Sequence, residues 1–311
     1  MFPETSPASG YNERKTQRQF MGQVLAASAA SRIEIVHDVG SLRARLAQWR
    51  RAGETIGLVP TMGALHAGHI SLVREAKRHA TRTMMSIFVN PTQFAPSEDF
   101  GAYPRSLEAD AAKFASAEGD LVFAPAIGEI YPPGFATLLS IGGPATAGLE
   151  DRFRSAHFPG VATIVAKLLN QCRPDIAIFG EKDYQQLKVV TRMARDLDFE
   201  TKIIGVPTVR EADGLALSSR NVYLSAKERA VAPSLFAALR RCVHDINDGV
   251  IIETALAAAR KTVAAAGFVT DYIEARHAES LAPVTSREEW PVRLLAAATL
   301  GKTRLIDNVA V

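Results

Sequence analysis

The sequence predicts an α/β fold: a Rossmann-like, mostly parallel sheet with helices on both faces, plus a smaller C-terminal α+β domain. Short apolar runs rich in Val, Ile and Phe alternate with stretches of helical period, and Gly, Pro or Asn bounds the runs. Strands that alternate with helices form βαβ units, which cover a parallel sheet on both faces. The pattern changes near Thr208, which predicts that a second domain begins there.

Five apolar runs are predicted to be the strands of the parallel sheet. They lie at 55–60, 83–89, 120–124, 175–179 and 202–207. Apolar positions spaced by three and four residues predict helices between them, at 69–80, 106–117 and 160–171. Ligands of such sheets bind beyond the carboxyl ends of the strands. The residues that follow each run are therefore the first candidates for a functional site.

The C-terminal region, 209–311, is predicted to be the α+β domain, and the Rossmann-like domain spans 33–208. One or two helices around Pro233 are expected within 227–247, and another within 253–266. Three strands are then expected close together, at 268–275, 293–300 and 303–309.

Residues 1–32 differ in composition from the rest and are predicted to be a disordered leader. Pro, Ser and Gly lead into a polar stretch and then into small residues. A basic start followed by an apolar core is missing, so the segment does not match a secretory signal. A misassigned start, with Met21 as the initiator, and a transit-type segment are the alternatives; Glu4 and Glu13 weigh against the second.

The composition excludes several classes of protein. The chain has 311 residues, of which 47% are hydrophobic and 22% charged, so a wholly disordered or collagen-like chain is excluded. The 36 Lys and Arg residues nearly balance the 33 Asp and Glu residues. The formal charge of +3 is too small to imply a nucleic-acid or membrane partner. No run approaches the ~18–20 apolar residues that cross a bilayer, so we expect a soluble protein.

Cys172 and Cys242 lie far apart and match no CxxC or metal-ligand spacing. Their apolar, helical surroundings predict buried thiols that act as small hydrophobic residues. A reactive thiol or a pair is the alternative. This use of cysteine fits a reducing compartment, so a cytoplasmic protein is expected.

The first predicted strand runs into the segment Pro60–His69, PTMGALHAGH, and then directly into a helix. Gly63 and Gly68 permit tight turns and close backbone approach. A helix N-terminus offers unpaired N–H groups and partial positive charge, which suit a phosphate. His66 and His69 can both donate hydrogen bonds to it. An HxxH pair alone also fits a capping and a packed histidine, or a metal pair, but its place between strand and helix favours phosphate.

This segment resembles the HIGH-type signature of the nucleotidyltransferase superfamily, in the form found in the pantoate–β-alanine ligase (pantothenate synthetase) family. The resemblance covers 33–311 and includes five further motifs in the family's order: FVNPTQF (88–94), EDFGAYPR (98–105), HFPGV (157–161), FGEKDYQQL (179–187) and LSSRN (217–221). It implies a ligase that condenses pantoate with β-alanine through pantoyl adenylate, releasing pyrophosphate and AMP. It also implies Mg²⁺ with ATP as a cofactor, without a protein metal cage, and a homodimer.

The resemblance also implies the roles of individual residues. The ATP-binding residues would be Met62, Gly63, Ala64, Leu65, His66, His69, Gly180, Lys182, Asp183, Leu217, Ser218, Ser219 and Arg220. Of these, the catalytic residues would be His66, His69, Lys182, Ser218 and Arg220. The backbone amides of the turn at 62–65 would lie near phosphate. The pantoate-binding residues would be Gln93, Gln186, Asn90 and Met62. Amides suit both the hydroxyls and the carboxylate of pantoate.

Some positions keep a second interpretation. Asn90 also fits a simple strand stop, Asp183 fits ribose binding or helix capping, and Tyr103 either covers the substrate or packs. Glu150 and Arg154 fall where the family has an acid and a base, but surface charges fit equally.

The chain departs from the family's pattern in two places. Leu217 stands where Met is usual, an apolar replacement of similar volume that should matter little. Ser155 and Ala156 replace a Pro-Gly-like pair, which leaves the shape of that loop open.

Three other functions fit the sequence less well. Another HxGH nucleotidyltransferase with a phosphorylated substrate would need Arg or Lys in place of Gln93 and Gln186. A nucleotide-binding regulator without turnover would not need these four intact residues: His66, His69, Lys182 and Arg220. A nucleic-acid-binding protein would need a basic stripe with interleaved aromatic residues, which the sequence lacks.

Overall fold

The computed structural model describes residues 33–94, 100–101, 103 and 106–311, apart from the side chain of Arg287. The predicted leader, 1–32, and most of the motif at 98–105 lie outside the described residues.

Six strands form the sheet of the N-terminal domain: β1 (Glu34–Val36), β2 (Ile56–Thr61), β3 (Arg82–Ile87), β4 (Leu121–Phe123), β5 (Ile176–Gly180) and β6 (Lys202–Val206). Their order is β1-β4-β3-β2-β5-β6, and every pairing is parallel. The predicted parallel sheet is thereby confirmed. Because β2 lies between β3 and β5, the loops that follow these three strands meet at one edge.

Seven α-helices accompany this sheet in the described residues: α1 (Val39–Arg51), α2 (Ala67–His79), α3 (Leu107–Ser116), α4 (Ile127–Ile130), α5 (Glu150–Phe153), α6 (His157–Cys172) and α7 (Tyr184–Asp196). Neighbouring strand residues point to opposite faces. Leu58 packs in the cluster that contains the apolar faces of α1, α6 and α7. Val59, the next residue, packs with α2 and α3. Both faces of the sheet are therefore covered by helices, as predicted.

Two elements at the start of the domain were not predicted, namely β1 and α1. The strand has only three residues, too few for an alternation pattern. The helix has a detectable signal, since Asp38 accepts a hydrogen bond from the Ser41 amide at 2.7 Å as its N-cap. Its apolar stripe is weak in the sequence, because four arginines lie among its three buried apolar residues.

The C-terminal part contains α8 (Ala226–Val231), α9 (Ser234–Asn247), α10 (Ile252–Ala265) and the strands β7 (Val269–His277), β8 (Val292–Leu300) and β9 (Thr303–Ala310). The three strands pair antiparallel in the order β7-β8-β9. Pro233 separates α8 from α9, so the predicted segment 227–247 is two helices. The α+β character of this part is confirmed, and the boundary at 208 stays a prediction.

Cys172 and Cys242 are buried and are not in a disulfide. Burial raises the pKa of the Cys172 thiol to about 12 and that of Cys242 to about 11. Both therefore remain protonated at neutral pH and act as apolar groups, as predicted. No helix in the described part of the chain is long and apolar enough to span a membrane.

Candidate active site

The carboxyl ends of β2, β3 and β5 open into one cavity of about 250 Å³, named here the strand-end cavity. It brings together most of the residues predicted to bind ATP and pantoate: Met62, His66, His69, Asn90, Gln93, Gly180, Lys182, Asp183, Gln186, Leu217, Ser218, Ser219 and Arg220. Gly63, Ala64 and Leu65 do not line it.

The carboxylate of Asp110, which was not predicted from the sequence, stabilises the turn after β2. Asp110 in α3 is buried and accepts hydrogen bonds from the amides of Ala64 and Leu65, both at 2.8 Å. Lys113 donates to the Leu65 carbonyl at 2.7 Å. Gly63 has a φ of +89°, a backbone conformation that strongly favours glycine. Two of the four amides expected near phosphate, those of Ala64 and Leu65, thus donate to Asp110, and the turn positions the histidines that follow.

His66 and His69 cap the first turn of α2 reciprocally. The Nδ1 atom of His66 accepts from the Gly68 amide, and Nδ1 of His69 accepts from the His66 amide, both at 3.2 Å. Their ring centroids lie 4.1 Å apart. A Cβ atom at Gly68 would lie 2.9 Å from the His66 ring. Glycine between the two histidines therefore lets the His66 ring fold back over the helix N-terminus.

The protonation state of the pair follows from these contacts. Burial, with Lys182 and Lys113 nearby, lowers the pKa of His66 to about 4. Burial and the His66 ring lower the pKa of His69 to about 3. Both rings are neutral at pH 7, and each Nδ1 accepts a backbone N–H. The single proton of each ring is consequently on Nε2, which serves as a hydrogen-bond donor.

Asn90 and Gln93 form the other side of the strand-end cavity, after β3. Asn90 is 1% exposed, and its Nδ2 donates to Gln93 Oε1 at 3.1 Å. Its Oδ1 accepts from Tyr131 at 2.8 Å. The Asn90 side chain thus stabilises the turn Pro91–Gln93, beyond simply ending a strand. Gln93 Nε2 lies 3.0 Å from Met62 Sδ, a weak acceptor that a substrate oxygen can replace.

The adjacent glutamines at the start of α7 have different environments. Gln185 is buried and makes three hydrogen bonds within the protein, one of them to the Glu150 amide at 2.9 Å. Gln186 is half-buried and lines the strand-end cavity. Asp183 lies at the N-cap of α7 without a capping hydrogen bond from its side chain.

Two residues of the C-terminal sheet hold the turn that carries Lys182. Asn308 donates to the carbonyls of Glu181 and Lys182 at 2.9 and 3.0 Å. Arg293 pairs with the Glu181 carboxylate at 2.9 Å. Neither residue has a signal in the sequence, because both lie in apolar strands far along the chain.

The segment 217–221 closes the strand-end cavity from the C-terminal side. Ser218 is the N-cap of a short 3₁₀-helix, and its Oγ accepts from the Arg220 amide at 3.2 Å. Tyr103 is 7% exposed, and its hydroxyl lies 3.4 Å from Ser219 Oγ. Lys182, Ser218 and Arg220 also line a larger cavity of about 510 Å³ between the two domains.

Glu150 is not a surface charge, because it joins the two domains. It is 7% exposed and accepts two hydrogen bonds from the Arg304 guanidinium, both at 2.8 Å, and one from Tyr272 at 2.7 Å. Burial acts to raise the pKa of Glu150, but Arg304 outweighs it and holds the pKa below its usual value. Arg304 also pairs with Asp271 at 2.7 Å. These four residues, named here the Glu150 junction, link α5 to β7 and β9.

Within the residues that the structure describes, no group of three or more His, Cys, Asp or Glu side chains could hold a metal ion. Asp183 is the one carboxylate among the described residues lining the strand-end cavity. Its side chain is about half exposed, and Lys182 lies 3.9 Å away. A single accessible carboxylate suits a Mg²⁺ ion that takes its other ligands from phosphates and water.

Comparison with known proteins identifies the family. A family model described as pantoate-beta-alanine ligase matches residues 34–310. Curated proteins named pantothenate synthetase are 60% identical in Nitrobacter hamburgensis and 58% identical in Rhodopseudomonas palustris, each over 277 residues. Both alignments cover 89% of this chain and 98% of the relative.

Solved structures support the same family assignment. The pantothenate synthetase of Thermus thermophilus is 47% identical, with a TM-score of 0.84, covering 89% of this chain and 99% of that one. The pantoate-beta-alanine ligase of Francisella tularensis, complexed with beta-gamma ATP and β-alanine, is 34% identical with a TM-score of 0.74, covering 89% and 97%. The chain belongs to the pantoate–β-alanine ligase family.

Proposed function

We propose that this chain condenses pantoate with β-alanine to pantothenate at the strand-end cavity, through a pantoyl-adenylate intermediate. Family membership makes the chain an ATP-dependent ligase. The observation that carries the assignment of the site is the grouping of His66, His69, Lys182 and Arg220 with two glutamines around one cavity. The cationic groups and histidines suit a triphosphate, and the glutamines suit a hydroxy acid.

In the first step the pantoate carboxylate attacks the α-phosphorus of ATP, and pyrophosphate leaves. No proton is transferred in this step, so catalysis requires positioning and neutralisation of charge. His66 and His69 donate through Nε2–H to phosphate oxygens. Lys182 and Arg220 supply positive charge, and they line the interdomain cavity as well, which favours a path for the leaving pyrophosphate between the domains.

Pantoate is held by Gln93 and Gln186, with Asn90 stabilising the turn that carries Gln93. Amide groups both donate and accept, so they recognise hydroxyls and leave the carboxylate oxygen to attack. The Met62 sulfur, 3.0 Å from Gln93 Nε2, marks where a substrate oxygen would replace a weak acceptor.

In the second step the neutral amine of β-alanine attacks the acyl carbonyl, AMP leaves with the C–O bond electrons, and the proton released by the nitrogen passes to water. His66 and His69 are arranged as donors in this step too. The Nδ1 atom of each ring accepts a hydrogen bond from a backbone N–H group, and Nε2 carries the ring proton. They stabilise charge on the departing phosphate and do not act as the base.

Three further properties belong to the proposal. Mg²⁺ accompanies ATP and neutralises the triphosphate when bound, with Asp183 as the fitting protein carboxylate. The enzyme is a cytoplasmic protein, which fits its two protonated, unpaired cysteines. It is a homodimer, as the resemblance implies.

The proposed function is tested by isotope exchange between ATP and pyrophosphate in the absence of β-alanine. Exchange should require pantoate, because the first step is reversible only when adenylate forms. Addition of β-alanine should then yield AMP and pantothenate in equal amounts. Exchange of the same rate without pantoate, or with a phosphorylated acid in its place, would contradict the proposed substrate.

A further inference from the structure

We propose that His157 is a positioning residue: it holds the backbone of Gln93 and thereby sets the Gln93 side chain for pantoate. This inference rests on the proposed role of Gln93. His157 is the first residue of α6 and is 8% exposed, and Gln93 ends the turn Pro91–Gln93 and is also 8% exposed. The His157 Nδ1 atom lies 3.1 Å from the Gln93 carbonyl oxygen.

The direction of this hydrogen bond follows from its partner. A carbonyl oxygen can only accept, so His157 carries its proton on Nδ1 and donates to Gln93. Burial and the nearby Arg154 lower the pKa of His157 to about 4, so the ring is neutral at pH 7. Its Nε2 is then an acceptor, and Arg154 NH1 lies 3.4 Å from it. His157 thus has the opposite tautomer to His66 and His69, which indicates a different role.

Gly160, one turn further along α6, brings the helix against the same backbone. A Cβ atom at this position would lie 2.5 Å from the Thr92 carbonyl oxygen and 2.8 Å from Gln93 Cα. Asn90 Nδ2 also donates to the Gly160 carbonyl at 3.2 Å. The HFPGV segment is therefore joined to the turn by two hydrogen bonds, from His157 to the Gln93 carbonyl and from Asn90 to the Gly160 carbonyl, and by a close approach that only glycine permits.

Arg154 extends this arrangement towards the C-terminal domain. Its NH2 lies 3.5 Å from the Gln93 carbonyl, and its NH1 lies 3.8 Å from Glu150 Oε2. The Gln93 backbone is thus connected, through one arginine, to the Glu150 junction. The position of the Gln93 side-chain amide thus depends on side chains that do not themselves bind substrate.

The test compares replacements of His157 that keep or remove the Nδ1 donor. The Asn side chain places its NH₂ group where Nδ1 lies, whereas Gln places it near Nε2. We expect His157→Leu to raise the KM for pantoate about tenfold, as for loss of one buried hydrogen bond. The KM for ATP should change less than about twofold. His157→Asn should restore the KM for pantoate to within about threefold of wild type, and His157→Gln should not.

A double-mutant cycle shows whether His157 acts through Gln93. In a Gln93→Ala background the His157→Leu change should have no further effect on the KM for pantoate, because the side chain being positioned is gone. Additive effects would overturn the inference, as would rescue by Gln rather than Asn. If His157→Leu does not fold, the comparison of Asn with Gln still decides.

Gly160→Ala provides an independent variant, with Gly128→Ala as its matched control. The Cβ position of Gly128, in α4, has no atom within 4 Å. Gly160→Ala should raise the KM for pantoate and Gly128→Ala should not; equal kinetics would overturn the inference. A wild-type enzyme whose exchange ignores pantoate would instead contradict the proposed function, so the two failures are distinguishable.

Discussion

Two partly buried clusters of titratable groups in this molecule differ in charge state: one is neutral and the other is ionised. At the start of α2, His66 and His69 are neutral, because burial removes them from water and their neighbours are cations. At the Glu150 junction, Glu150 stays ionised although it is also enclosed, because Arg304 donates two hydrogen bonds to it. Burial alone therefore does not decide the charge; the partner does.

The difference in charge state between the histidine pair and the Glu150 junction corresponds to a difference in role. Neutral histidines with Nε2–H can donate to an incoming phosphate without carrying a charge that the protein would have to bury beforehand. The ion pair of Glu150 with Arg304 already satisfies its own charges and so serves to hold the domains together. Variants at the two clusters should therefore differ in whether they change stability or rate.

The largest effect is expected from breaking the Glu150 junction. Arg304→Met would remove two charged hydrogen bonds from the buried Glu150 and leave Arg154, 3.8 Å away, as its nearest remaining cation, and should lower the free energy of unfolding by about 3 kcal/mol in urea titration. Arg192→Met is the matched control, because Arg192 pairs with Asp196 on an exposed face of α7, and should cost less than about 1 kcal/mol. Adding Glu150→Gln to Arg304→Met should recover part of the loss. Equal effects of Arg304→Met and Arg192→Met would mean that Glu150 does not need its partner.

A large effect on rate, but not on stability, is expected at the histidine pair. His69→Ala should slow pantoate-dependent exchange by about 10²–10³-fold, as for loss of one donor to developing charge. His69 Nδ1 accepts a hydrogen bond from the His66 amide. Loss of this capping bond should lower the free energy of unfolding by about 1 kcal/mol. His79→Ala, at the exposed end of the same helix, should change neither quantity. A large loss of stability with a small loss of rate would show that His69 is a packing residue.

The smallest effect is a dependence of stability on pH. The folded rings of His66, His69 and His157 have pKa values of about 4, 3 and 4, whereas unfolded histidines bind protons near pH ~6.5. The unfolded state therefore takes up more protons, and the free energy of unfolding should fall as pH decreases from about 7 to about 5.

Urea titrations at the two ends of this pH range measure the slope. It should be smaller in His69→Gln than in wild type, because the depressed pKa of the His69 ring contributes to it. A slope that is the same in both proteins would mean that the His69 ring titrates normally in the fold.

Several expectations from the sequence agree with the structure because they depend on the chemistry of neighbouring residues. The alternation of runs and helices predicted the parallel sheet, and HxGH, Gln93 and Lys182 were expected at strand ends, where the structure places them. The family resemblance implies Gln186 as a pantoate-binding residue, and Gln186 lines the strand-end cavity. The turn amides of Ala64 and Leu65 were expected near phosphate, and the structure shows them bound to Asp110.

Periodicity, glycine turns and motif spacing are properties of neighbouring residues, so the fold class, the family and the positions of the groups that carry the chemistry can be predicted without a structure. Which side chains hold those groups in place depends on contacts between distant parts of the chain. Asp110 binds the Ala64 amide across 46 residues, His157 binds the Gln93 carbonyl across 64, and Arg304 binds Glu150 across 154. Such partners are set by how helices and domains pack, and that packing leaves no pattern in the local sequence.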